Sequence, residues 1–559
     1  MANFKQMRLL LLAGGAALLA TCAANQVALT EAQAGISLDY LMADIATLAS
    51  DEFMGRRPGQ PGGDLTVDFL VKRAREIGLE PGNGDSYLQD VPLINLKLAD
   101  ASQMTFTSGD GDSGAMTWKP YEDFTVQVRG RFDDIAFEFD DVVLAGYGVV
   151  DSALGWDQYG DLDVKGKVVI IFRADPSYLT GDSTVFNSSN PVRHNLFSTK
   201  FRAARAKGAL AAFAVFDGEM SDSESGWEDV SGGNRASVRL ASTEAGEAPE
   251  FISGYMNPAS VEKLLESRGL DYKEQLMAAT EQSYQPVELG YSVKLALSQT
   301  ADPFTSHNVL GILPGSVRPD ELIIYTAHWD AYGIDTTAED DQIFNGAVDN
   351  GTGSASLLTL AKMFTGLEQR PERSILFLWV TSEEVGLLGS RHYAEHPIYP
   401  LGKSVANINI DMLLPFGQTH DVIVFGYGKS QLDGYVKRAT KKLGMVVTQD
   451  PWPEQRFYYR SDHINFARKG LPALSMNPGN DHVTLGVDST MARMQQWMGS
   501  RYHRPSDELD DTWDMAGIID YLKITFDIGY TLSNQTKWPN WYKNDEFRPI
   551  RDESRANSN

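Results

Sequence analysis

Five side chains in this 559-residue sequence are of the types that hold metal ions, and each stands at the end of a readable strand or in a turn. They are His328 in "YTAHWD", Asp349 in "GAVDNGTG", Glu384 in "VTSEEVGLLGS", Asp411 in "NINIDML" and His503 in "RYHRPSDE". Two imidazoles and three carboxylates are what a two-zinc hydrolytic centre needs, because both ligand types suit zinc and one carboxylate can bridge two ions. Asp349 lies among small residues and glycines that let the backbone turn tightly, and it opens a helix, a placement from which a carboxylate can bridge. Asp411 follows a strand and precedes apolar "MLLP", where an unpaired carboxylate costs on the order of several kcal/mol unless a partner or a metal compensates it. Glu383 and Glu384 follow the apolar run "SILFLWV"; adjacent carboxylates can divide the work, one binding metal and the other taking a proton from water. Asp330, two residues after His328, is placed to accept the other ring N–H of that imidazole or to support the site in another way. In "YYRSDHINF", Tyr458 or Tyr459 is a candidate O–H donor to an oxyanion, with Ser461, Asp462 and His463 shaping the pocket.

The elements that must position these groups read as an α/β layer fold. From "SHNVLGILPG" to about Ser533, strands at Leu322–Thr326, Ile375–Val380, Val405–Ile410, Val422–Phe425 and Ala473–Met476 alternate with helices after Gly351, after Gly386 and over "LDGYVKRATKKLG". Ligands at the carboxyl ends of such strands are expected, since the substrate crevice of an open α/β sheet lies there. Before this region come a helix from Leu38, a Gly/Pro-rich loop, the amphipathic stretch "LTVDFLVKRAREIG" and a strand in "YLQDVPLINLKL". Between about 135 and 291 the sequence turns β-rich, with "DDVVLAGYGVVD", "KGKVVIIFRAD" and "GALAAFAVFD" as strands and "KFRAARAKG" as a helix. Polar stretches such as "GDSTVFNSSN" and "SDSESGWEDVSGGN" read as surface loops. None of the five ligands falls in that segment, so it reads as an inserted domain. The predicted division is an export signal over 1–22, an N-terminal part of the catalytic domain over 37–134, the insert over 135–291, the catalytic domain over 292–543 and a polar tail over 544–559.

Composition excludes several classes. A net charge of −26 argues against nucleic acid or an anionic membrane surface as partner. There is no G-x-S-x-G elbow, no H-E-x-x-H and no phosphate-cradling G-x-x-x-x-G-K-[ST] loop. The single cysteine, Cys22, closes a basic-then-apolar N-terminus too short to span a bilayer, which reads as an export signal. Its "LATC" resembles a bacterial lipoprotein box, which implies a lipid anchor at Cys22 and a periplasmic or outer-membrane location; ordinary secretion is the alternative.

Taken together, the motifs resemble the co-catalytic two-zinc aminopeptidase family that also includes glutamate carboxypeptidase II, transferrin receptor and glutaminyl cyclase. The resemblance runs from about Leu48 to Ser533 and is strongest in "DELIIYTAHWDAYG", "GAVDNGTGSASLL", "VTSEEVGLLGSRHYA", "NINIDM", "YYRSDHINFARKGLPAL" and "YHRPSDE". It implies a zinc-peptidase (phosphorylase/hydrolase-like) fold, a mixed central sheet flanked by helices. The "KGKVVIIFR" and "KFRAARAKGALAAFAVFD" runs resemble an inserted protease-associated domain. It further implies two Zn2+ ions: Asp349 bridging both, His328 and Asp411 completing one, Glu384 and His503 completing the other. Glu383 resembles the general base and Tyr458 the oxyanion-side tyrosine. The activity implied is hydrolysis of N-terminal residues from peptide substrates. Glutamate-carboxypeptidase-like or dipeptidase activity, or a non-catalytic receptor-like module, are the alternatives. Arg460 is the cation best placed to grip a terminal carboxylate in the carboxypeptidase case.

Overall fold

The computed structural model describes residues 36–557 apart from 110–114, 128–130, 133, 153, 182–185, 187–193, 221–225, 228–229, 231–236, 243–248, 337 and 339. The export signal with Cys22, and most of the two polar stretches read as loops, lie outside the described residues. Among those described, no helix is long and apolar enough to cross a membrane.

The chain divides into two compact units, one built from residues up to Val91 together with Thr305 onward, the other from Pro92–Phe304. The first unit is a mixed sheet between helices. Its strands are β1 (Leu88–Leu98, in this unit up to Val91), β2 (Gln299–Leu313, in this unit from Thr305), β3 (Arg318–His328), β4 (Arg373–Val380), β5 (Ser404–Asn409), β6 (Asp421–Phe425), β7 (Val446–Gln449) and β8 (Ala473–Pro478). They lie side by side in the order β1-β2-β4-β3-β5-β8-β6-β7. β3 runs parallel to β4 and to β5, and β5 parallel to β8, whereas β2 meets β4 and β6 meets β8 in antiparallel register.

Every residue of β4 is buried, the mark of a strand covered on both faces. Alternate residues divide between the layers, as the two-residue period of a strand requires. Ile323, Tyr325, Ile375, Phe377 and Trp379 join one core, with residues of helices α1 (Leu38–Leu48), α2 (Pro61–Ile77), α3 (Gly353–Thr365) and, further along the chain, Ala516–Ser533. Leu322, Ile324, Leu376, Leu378 and Val380 join another, with Tyr393 of α4 (Leu388–Glu395) and Phe466 of a short helix at His463–Arg468. Because β3, β4 and β5 are parallel, their carboxyl ends share one edge, and His328, Glu383–Glu384 and Asp411 lie at that edge.

The polar tail predicted over 544–559 is instead a docked helix, Arg548–Ala556. Arg551 is buried and donates to the carbonyls of Leu401 and Ser404. The fully buried Trp541 just before it donates to the carbonyl of Gly470. A guanidinium that satisfies buried carbonyls folds inward while reading as polar.

The second unit holds a sheet of Val287–Glu288, Val142–Leu144, Val168–Ile171, Ala211–Val215, Ile252–Met256 and Phe124–Val126, in that lateral order. A second sheet orders Met116–Trp118, Gln103–Ser108, Tyr291–Leu297 and Ile135–Phe139. The helix expected at "KFRAARAKG" runs over Phe197–Ala206. These pairings place the division elsewhere than 135 and 291. Gln103–Ser108 pairs with Tyr291–Leu297, and Phe124–Val126 with Ile252–Met256, so 92–134 and 292–304 go with the insert.

Candidate active site

His328 is the last residue of β3 and is buried. Its Nε2 lies 3.2 Å from Asp349 Oδ1, 3.3 Å from Asp411 Oδ1 and 4.0 Å from Glu383 Oε2. The other oxygen of Asp349 lies 3.3 Å from His503 Nε2, which is also 3.4 Å from Glu384 Oε2. The ligand atoms therefore fall into two groups, His328–Asp349–Asp411 and Asp349–Glu384–His503, with Asp349 common to both and one of its oxygens turned to each imidazole. All five predicted ligands converge.

Local backbone sets this convergence. Asp349 sits in an irregular turn, Ala347–Thr352, at the start of α3. Gly346, at φ 55°, makes the turn: a Cβ there would stand 2.4 Å from the Asp349 carbonyl oxygen and 2.8 Å from Arg56 Nη2. Arg56 is buried and donates to the carbonyls of Leu48, Trp329, Asn345 and Gly346, tying the turn to the chain after β3. Asp507, also buried, accepts the backbone N–H groups of Val348 and Asp349. Three non-glycine residues with left-handed φ flank or form the site: Ser382 before Glu383, Met412 after Asp411, and His503 itself. Such conformations cost about 1–3 kcal/mol each and cluster where a side chain must be aimed.

Asp330 supports the site through its backbone contacts. Its carboxylate accepts the N–H groups of Glu383 at 3.0 Å and Glu384 at 3.3 Å. The Nδ1 of His328 faces the Asp330 backbone carbonyl at 3.1 Å, while the carboxylate is 3.9 Å away. Of the two roles open to Asp330 in the sequence, the structure favours holding the Glu383–Glu384 turn. Ser461 donates to Asp411 Oδ2.

The expected tyrosine does not reach the site. Phe457–Tyr459 is a 3-10 turn, and at three residues per turn its side chains point in three directions. Phe457 faces the active-site cavity, Tyr458 packs into a core with Ile464, Ala467 and Trp541, and Tyr459 donates to Glu546 on the outside. The Tyr458 hydroxyl is buried with no hydrogen-bond partner among the described residues. Two tyrosines that sequence reasoning passed over enclose His503. The Tyr332 hydroxyl lies 3.1 Å from His503 Nδ1, and the Tyr502 ring stacks on the imidazole at 3.6 Å between centroids. "HWDAY" and "RYHRP" carried them beside the ligands, but nothing local distinguished them from core aromatics.

The site opens into a cavity of about 340 Å³. Glu383, Glu384, Asp349, Asp411 and His503 line one side, and Trp452, Phe425, Met412, Met494 and Met498 line others. Asp330 and Asp462 are buried and do not line it.

The electrostatics show a site built around positive charge it does not itself supply. Burial pushes Glu383 well above the carboxylic range, and neighbouring Glu384, Asp411 and Asp462 add to it against the opposing pull of His328. Glu384 is raised for the same reason, chiefly by burial and then by Asp349. Burial would raise Asp349 too, but the two imidazoles overcome it and hold it below its usual value. Glu384 Oε1 is buried without a hydrogen-bond partner among the described residues. Carboxylates crowded in this way, with one orphaned oxygen, fit divalent metal ions held by the His328, Asp349, Asp411, Glu384 and His503 side chains.

Residues 308–524 match peptidase family M28. Mouse aminopeptidase NAALADL1 is 36% identical over 220 residues, which is 38% of this chain and 26% of that protein. Aminopeptidase YwaD of Bacillus subtilis (strain 168) is 27% identical over 219 residues, 37% of this chain and 40% of that protein. The chain thus matches about a quarter to two fifths of the length of these curated relatives. The solved aminopeptidase from Aneurinibacillus sp. strain AM-1 superposes with a TM-score of 0.51 at 17% identity, over 91% of this chain and 97% of that one, which establishes a common fold.

Proposed function

We propose, from the match of residues 308–524 to peptidase family M28, that this protein is a zinc-dependent exopeptidase, an aminopeptidase that removes N-terminal residues from peptides. The observation that carries the reading is the shared Asp349, one oxygen toward each imidazole, which divides five ligands into two sets with a carboxylate in common. Two zinc ions held by these sets would polarise the scissile carbonyl and make water a nucleophile at neutral pH.

The chain's own groups do the rest. Glu383 lines the cavity beside the ligands, and its Oε2 takes a proton from the attacking water and returns it to the leaving amine. Asp330 holds Glu383 and Glu384 by their backbone N–H groups, so the base and its neighbouring ligand keep a fixed spacing. Tyr332, at Nδ1 of His503, leaves Nε2 facing Asp349 and Glu384. The carboxylates on the ligand side of the cavity suit a substrate's free α-amine through charge-assisted hydrogen bonds.

We further propose export by the segment 1–22 and a protease-associated character for the insert. Cell fractionation of wild type and Cys22→Ser separates the lipoprotein from simple secretion: equal periplasmic solubility would exclude the anchor. The activity test compares dipeptides with free and acetylated amines on the zinc-loaded protein. Acetylation is expected to abolish cleavage, and equal cleavage of both would replace the aminopeptidase with a carboxypeptidase.

A further inference from the structure

The cavity has acids at one side, apolar walls, and a single Lys or Arg among its lining residues, Arg460. Elsewhere on this acidic surface Arg501 pairs with Asp510, Arg548 with Asp552 and Arg318 with Glu372, while Arg438, Arg456 and Arg493 lie over aromatic rings, but none of these six lines the cavity. Arg460 is exposed, and its guanidinium lies over the ring of Phe457, at 5.2 Å to the centroid. No hydrogen bond or ion pair holds its guanidinium among the described residues. A cation left unpaired in a protein of net charge −26 has no shortage of carboxylates to choose from.

The neighbouring Ser461 fixes its position. Ser461 donates to Asp411, one of the ligands, and adjacent Cα atoms are about 3.8 Å apart. Arg460 therefore starts one residue from the ligand cluster, and its side chain lies along the cavity wall rather than at a distance from it. Arg460, Tyr502 and the acids Asp349, Glu384 and Asp411 all line the same cavity.

We propose that Arg460 binds the C-terminal carboxylate of the substrate, so that the preferred substrates are short peptides of two or three residues, bound by their amine at the acidic side and their carboxylate at Arg460. This rests on the aminopeptidase reading and narrows it. The size agrees: a cavity near 340 Å³ lies at the small end of the roughly 300–1,000 Å³ typical of ligand pockets. Phe457 beneath the guanidinium restricts its planar fork, and a carboxylate is the anion that fork matches with two parallel hydrogen bonds.

The test measures binding without turnover. Zinc-loaded Glu383→Gln protein is titrated calorimetrically with Leu-Leu and with Leu-Leu amide, with Arg460 intact and as Arg460→Met or Arg460→Lys. With Arg460, Leu-Leu is expected to bind about tenfold tighter than the amide, the order of a charge-assisted hydrogen bond in a part-exposed cleft. Arg460→Met should bring the two within about twofold, and Arg460→Lys should keep a preference of a few-fold because it keeps the charge. Equal affinities in the presence of Arg460, a preference that survives Arg460→Met, or a loss in Arg460→Lys as complete as in Arg460→Met would each overturn the assignment. Wild-type protein assayed on the same two compounds separates the two readings. Cleavage of neither, with the binding preference intact, sinks the aminopeptidase and leaves Arg460 as a carboxylate site. Cleavage of both without a binding preference does the reverse.

Discussion

Replacing Asp330 by Asn changes one atom in a fully buried group and strikes the Glu383–Glu384 turn directly. The native carboxylate accepts two backbone N–H groups, from Glu383 at 3.0 Å and Glu384 at 3.3 Å. An amide of the same shape accepts one and presents its own N–H to the other. The loss is one charge-assisted bond, about 1.5–3 kcal/mol, and the orphaned buried N–H carries a penalty of about 1–3 kcal/mol. Against this, burial already disfavours the ionised form of Asp330 and raises its pKa, so removing the charge returns part of the loss to global stability. The net effect should therefore appear in the site rather than in unfolding. Groups behind metal ligands typically contribute about 10–100-fold in metal affinity or activity. We expect Asp330→Asn to bind zinc about 10–100-fold more weakly in a chelator competition. The metal-free protein should keep its unfolding midpoint. Turnover should stay reduced at saturating zinc, because Glu383 remains misplaced. Zinc affinity and turnover both within about twofold of wild type would refute the idea that the Asp330 carboxylate sets this turn.

Metal analysis should find two zinc ions per chain at saturation, with activity lost to chelators and restored by zinc; one or none would break the two-set arrangement around Asp349. Tyr458→Phe should leave kcat/KM close to wild type, because its buried hydroxyl has no partner among the described residues, whereas Tyr332→Phe should lower turnover by freeing His503. A loss on the order of a hundredfold in Tyr458→Phe would restore it to the oxyanion role. In the insert, burial depresses Lys200 to about 7 from 10.5. The unfolded chain thus holds a proton that the folded chain has given up between those values, and stability rises with pH through that window. At about 1.4 kcal/mol per unit the gain between pH 7 and pH 9 is about 2 kcal/mol. Lys200→Met should remove it, and denaturant unfolding that shows the same pH increment in both proteins would exclude Lys200 as its source.

The ligands and the strands that carry them were legible for one reason. β3, β4 and β5 are parallel and covered on both faces over their central residues, so each reads as a largely apolar run. A polar residue directly after such a run then lies at the edge where a crevice forms. His328 ends β3, and Asp411 and Glu383–Glu384 follow within a few residues of the ends of β5 and β4, although Asn407 and Asn409 interrupt the apolar run of β5; the helix opened by "DNGTG" brings Asp349 beside them. What escaped the sequence depended on contacts between distant residues. The insert begins at Pro92 because Gln103–Ser108 finds its partner at Tyr291–Leu297, a pairing that leaves no trace in either strand's own pattern. The tail reads as solvated, yet Arg551 closes carbonyls at Leu401 and Ser404, and polarity alone cannot tell a solvated arginine from one that caps buried backbone. The tyrosines are the sharpest case. "FYY" fixes three aromatic side chains on a turn of three residues, and only tertiary packing decides which faces the cavity. It gives the cavity to Phe457, the core to Tyr458 and the surface to Tyr459. The tyrosine hydroxyl that contacts a candidate ligand belongs instead to Tyr332, 171 residues from the imidazole it meets. A ligand can thus be read from the strand that presents it, but the groups that orient it are recruited from wherever the fold brings the chain back. Tests of this site therefore bear most on Asp330, Tyr332 and Arg460, whose roles derive from the fold.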